Sequence, residues 1–107
     1  MPKEIKANSW DEYMQAHLKD IPKGKESEYI AAVMVGYQNK NQDPPAAYSK
    51  KKAEKDTAAL MKNPLFKEQM QNNQAEMLAM MSQGQYAEMV KMTASPIASV
   101  KENIETA

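Results

Sequence analysis

Apolar positions along this chain recur mostly at the spacing of α-helices, in blocks separated by short polar or proline-containing gaps. One stretch departs from that rhythm. Tyr29-Ile30-Ala31-Ala32-Val33-Met34-Val35-Gly36-Tyr37 carries no charge and no amide, in a chain otherwise crowded with Lys, Glu, Gln and Asn. Wound as a helix, it sets Tyr29, Ile30, Val33, Met34 and Tyr37 on one broad face and Ala32, Val35 and Gly36 on the opposite one. A helix that is apolar nearly all round is buried by its neighbours, so 29–37 is the predicted centre of the fold. Its small side would let one helix come close, and its large side would receive longer side chains. The same residues also alternate as a strand would, with β-branched and aromatic content. No other stretch offers a strand to pair with it, and a lone strand leaves its backbone groups unsatisfied, which favours the helix.

The flanking blocks predict further helices. Ser9-Trp10-Asp11-Glu12 has the form of a capping box, with Ser9 taking a first-turn amide and Glu12 reaching back. Trp10, Tyr13, Met14, His17, Leu18 and Ile21 then form one stripe, predicting a helix over 10–21 that Pro22-Lys23-Gly24 stops. Ser27 is placed to cap the central helix. Asp43-Pro44-Pro45 reads as a cap followed by first-turn proline, predicting a third helix to about Lys62. That helix has a thin face of Ala46, Ala53, Thr57, Leu60 and Met61. Asn63-Pro64 opens a fourth with the stripe Phe66, Met70, Asn73, Met77, Met80 and Met81, closed by Gly84 in the left-handed position. Tyr86, Met89, Val90 and Thr93 mark a short fifth helix, and Ser95-Pro96 caps a last one carrying Ile97, Val100 and Ile104. The expected architecture is all-α: five to six helices over 9–104 packed around 29–37, with a flexible 1–8 and a frayed 105–107.

Composition narrows the function more than it defines it. The 107 residues suit one core of ordinary size. The longest apolar run is nine residues, well short of the ~18 that a bilayer-spanning helix needs. Met1 to Trp10 holds no apolar leader, which points to a cytoplasmic protein. There is no cysteine, hence no disulfide framework and no thiolate chemistry. Fourteen basic residues balance fourteen acidic ones, so no net field draws the chain to nucleic acid or lipid. All the basic residues are Lys, and the planar fork with which Arg grips phosphate and guanine is missing. Ten Met stand against one Phe, a soft apolar inventory in place of a rigid one.

Candidate chemistry is sparse. His17, the only histidine, lies within the stripe of the first helix with no local sign of the orienting carboxylate or nucleophile that catalysis requires, so a packing role is expected. The carboxylate pairs Asp11/Glu12, Glu26/Glu28, Glu54/Asp56 and Glu102/Glu105 come with neither a histidine at ligand spacing nor a calcium-loop pattern. No catalytic residue, metal or cofactor is therefore expected. Lys50, Lys51, Lys52 and Lys55, beside Tyr48, are possible phosphate contacts, although consecutive lysines point around a helix and Glu54 and Asp56 offset them.

The strongest remaining feature is the methionine stripe. Phe66, Met70, Met77, Met80, Met81, Met89 and Met92 are the expected partner-binding residues, since methionine surfaces accommodate varied apolar partners. A core built from Met in place of Leu is the competing reading. A lysine at each of two positions separates them: Met77→Lys is expected to destabilise the fold, and Met81→Lys mainly to disrupt association. Asn63-Pro64-Leu65-Phe66, Met70-Gln71-Asn72-Asn73 and Met77 resemble the Asn-Pro-initiated, Met-rich helices of co-chaperone domains such as those of ubiquilin, which would imply binding of apolar client segments. The likeness is confined to these residues, and the recurring Asn-Pro units of that family are absent. The expected function is a non-enzymatic interaction module that binds a partner helix or apolar peptide. The alternatives are a self-associating structural subunit and a nucleic-acid accessory protein using the Lys50–Lys55 cluster.

Overall fold

The computed structural model describes residues 5–92, which form an all-helical bundle. Helix α1 spans Trp10–Leu18, α2 Glu26–Lys40, α3 Lys50–Lys62 and α4 Pro64–Ser82. A further helix, α5, begins at residue 86 and continues to the end of the described region. The predicted sixth helix, with its cap at Ser95-Pro96, the frayed end 105–107 and the first half of the predicted flexible start lie outside the described residues.

Helix α2 is the axis of the bundle. Ile30 through Gly36 are buried without interruption, so the helix is covered around its whole circumference and not along one stripe. Two clusters share it. Ile30, Ala31, Val33 and Met34 pack with Met14, Phe66, Met70, Met77, Met81 and Met89. Ala32 and Val35 pack with Trp10, Tyr13 and Ala53. The large face thus meets α4, α5 and Met14 of α1, and the small face meets α1 and α3. At Gly36 a Cβ would collide with Met14 Cγ and lie 3.4 Å from the Trp10 carbonyl. The absence of a side chain there is what lets α1 sit this close.

Local signals account for most helix ends. Ser9 accepts from the Glu12 amide at 3.2 Å, while the Glu12 carboxylate reaches back to the Asn8 amide at 2.7 Å, one residue further than the predicted box. Asn63 receives the Leu65 amide at 2.9 Å and caps α4 ahead of Pro64. Gly84 adopts φ +74, with its amide bonded to the Met81 carbonyl and the Gln85 amide to the Met80 carbonyl, closing α4 as a Schellman motif.

Three predicted boundaries move. Helix α1 ends at Leu18 and not at Ile21, because Lys19 is extended and Asp20 takes a left-handed φ of 43. Ile21, held out of helical geometry by Pro22, still packs against the core from the connection. Helix α2 starts at Glu26, ahead of the predicted Ser27 cap. The Glu26 carboxylate accepts the Gly24 amide at 2.9 and 3.1 Å, and Ser27 Oγ instead accepts from the Gln74 side chain of α4 at 3.0 Å. Helix α3 begins at Lys50 and not at Pro44, with Ser49 as its cap. Pro45 disfavours helical geometry in the residue before it, so the tandem prolines delay the helix rather than start it.

Candidate functional site

The structure divides the predicted partner-binding residues into two groups. Phe66, Met70, Met77, Met81 and Met89 are sealed in the core, Met77 and Met89 with no exposed surface at all. Met80 and Met92 are half-buried at its edge. The stripe therefore closes on α2, and methionine's flexible stem does there what it does in irregular cores, filling gaps that branched residues would leave. Met81 is 3% exposed, which corrects the expected split between Met77 and Met81: both are core positions. Asn73, predicted within the stripe, instead breaks α4. Its φ of −135 and ψ of 21 are not helical, and its side chain donates to Gln69 Oε1 at 2.8 Å.

Lys50, Lys51, Lys52 and Lys55 are all exposed on α3. They do not converge. Lys52 pairs with Asp56 at 3.0 Å, and the three consecutive lysines project to successive sides of the first turn. Their charges also stand at the positive end of the helix dipole, where cations are disfavoured.

A different set of residues comes together in a groove of about 430 Å³ between α1, α2 and α3. Its α3 wall is Lys50, Glu54, Thr57, Ala58 and Met61, residues on successive turns of one side of the helix. The eleven residue steps from Lys50 to Met61 at the α-helical rise make it roughly 16 Å long. The opposite walls are Tyr13 and His17 of α1 and Glu28 and Ala32 of α2, with Ile5 and Tyr48 near the start of α3. Where α3 lines the groove with Thr57 and Ala58, its side chains are too short to fill the space beside α1 and α2.

Aromatic rings give one wall its shape. Tyr13 lies edge-on to Trp10 and beside Tyr48, with centroids 5.9 and 5.8 Å away, and His17 stands between Tyr13 and Tyr29 at 4.5 and 5.0 Å. Trp10 also meets Tyr48 edge-on at 5.1 Å. The Trp10 indole N–H is buried without a hydrogen-bond acceptor, so the ring serves by packing. At the groove floor the Tyr13 hydroxyl and Thr57 Oγ1 share a hydrogen bond of 3.2 Å.

The electrostatics follow from burial. His17 Nδ1 lies 2.7 Å from the Tyr13 carbonyl; since a carbonyl only accepts, that nitrogen carries the proton. Burial holds the imidazole below its ordinary 6.5, against the opposing pull of this bond and of Glu28. Burial likewise raises the Tyr13 hydroxyl, the Thr57 bond working against it and Tyr48, Glu54 and Glu28 adding to the rise. Tyr48 is raised by the same cause. The groove thus holds neutral aromatic groups between two carboxylates and one lysine. His17 bonds along its own helix and not to a carboxylate that would orient it as a general base. Among the described residues no three His, Asp or Glu side chains gather closely enough to hold a metal ion, and no helix is long and apolar enough to cross a membrane.

The groove is not legible in the sequence alone, although part of its signal is present. Lys50, Glu54, Thr57, Ala58 and Met61 follow helical spacing, but their mixed chemistry reads as a solvated face until α1 is laid beside it. Compared with protein-family models, with curated proteins and with solved structures, the chain matches none.

Proposed function

We propose that this chain is a non-enzymatic protein-protein interaction module that receives an apolar segment of a partner in the groove between α1, α2 and α3. The observation that carries this reading is the contrast between the two apolar surfaces. The methionines close against α2, whereas the groove stays open with aromatic and aliphatic walls and a few polar groups directed into it, the usual composition of a binding site. This moves the expected docking surface from the methionine stripe to the groove and keeps the expected mode, an apolar segment laid along a helical surface.

Ala58 is exposed on the α3 wall, so Ala58→Trp fills the groove without touching the core. The unsubstituted chain and the variant are compared as baits, and any captured protein is then purified and titrated against both. The variant is expected to keep its melting temperature and to lose binding at least tenfold. Equal binding by the two proteins removes the groove from the interaction. Sedimentation of the chain alone distinguishes the competing reading, since self-association abolished by Ala58→Trp would make the partner a second copy.

A further inference from the structure

The groove combines aromatic and aliphatic surface with charged side chains, of which carboxylates are the majority among the described lining residues. Among its described lining residues Glu28 and Glu54 are anionic and Lys50 is the one cation. Glu54 is exposed and makes no hydrogen bond or ion pair among the described residues, and Glu28 lies 4.0 Å from Lys25 with both side chains mostly in water. Both residues line the same groove as Tyr13. The same groove is lined by the rings of Tyr13, His17 and Tyr48 and by Ala32 and Ala58.

We infer that the groove selects a basic protein segment, one in which an apolar residue is flanked by lysine or arginine. This inference rests on the groove being the docking surface. A long basic side chain matches the lining in both of its parts: its methylene stem covers aromatic and alanine surface, and its charged head reaches the carboxylates at the rim. A cation held near the Tyr13 and Tyr48 rings gains further from their electron-rich faces. An acidic segment is disfavoured by the same geometry, because its carboxylates would lie against Glu28 and Glu54 without a cation fork to receive them. Charge acts here mainly by excluding wrong partners, while the apolar contact supplies the affinity.

The test uses the full chain, immobilised, and a random nine-residue peptide library displayed on phage, with Ala58→Trp as the control surface. Retained peptides are expected to be enriched in Lys and Arg next to Leu, Met or an aromatic residue, and depleted in Asp and Glu. The best peptide should bind about threefold more weakly to Glu54→Gln, the usual worth of one exposed charge pair, and should weaken further as salt is added. Glu54→Lys should turn the selection against basic peptides. If the retained peptides are apolar with no bias in charge and Ala58→Trp still loses them, the charge selection is wrong and the docking groove stands. If nothing is retained beyond what Ala58→Trp retains, both are wrong.

Discussion

Met14 lies against α2 at Gly36, where a Cβ would overlap its Cγ. The close approach of α1 therefore depends on one missing methyl group. Gly36→Ala gains about 1 kcal/mol in helix propensity but forces Met14 to move, and overpacking of this kind costs about 1–3 kcal/mol. A net loss of stability is expected in chemical denaturation. A gain would mean that α1 shifts freely.

The methionine stripe is distinguished by depth. Met77 has no exposed surface, and a lysine there must be desolvated or neutralised. Met77→Lys is expected to unfold the protein or cost several kcal/mol, by the scale of an unpaired buried charge. Met80 is half-buried, so Met80→Lys can place its ammonium in water and should cost about 1 kcal/mol or less. Thermal melts of the two variants make the comparison, and similar losses in both would contradict the burial described for Met80.

His17 gives stability a pH dependence of known sign. Its imidazole is held below 6.5 by burial in the folded protein, so the unfolded chain takes up the proton first as the pH falls. Stability is full above about 6.5 and declines below it, down to the lowered folded value. Glu26, kept below its ordinary 4.5 by the Gly24 amide, adds its own decline only in more acid solution. His17→Gln should flatten the curve in the upper window and leave the lower one. The same variant should leave partner binding within a few-fold, because His17, at 6% exposure, offers a partner little surface.

Asn63 accepts two amides at the start of α4. Asn63→Ala is expected to cost about 1 kcal/mol, the ordinary value of a lost N-cap. Urea denaturation checks it, with no change in the midpoint as the contrary outcome.

The elements most legible in the sequence were those whose local signal and burial agree. The uncharged run 29–37 announced the axis, and Ala32, Val35 and Gly36 announced the side on which α1 and α3 approach. Gly84 and Asn63 named helix ends because the left-handed backbone and the amide cap are local requirements. The tandem prolines misled, since Pro44 fits a helix start only when the next residue allows it, and Pro45 does not. The groove was hidden for a different reason. It is made by what α3 lacks, bulk at Thr57 and Ala58, and a shortage of volume becomes visible only when the neighbouring helices are in place.

The unbroken burial from Ile30 to Gly36 also governs how the molecule comes apart. Both apolar clusters use α2 as a common wall, one on each side. Loosening α1 opens both, through Trp10 and Tyr13 on the small side and Met14 on the large one, and loosening α4 strips the large side, so neither half retains a complete core of its own. Melting should be concerted across the bundle, with the central amides of α2 exchanging with solvent only through whole-molecule opening while those of α3, covered along a narrow strip, exchange by local fraying.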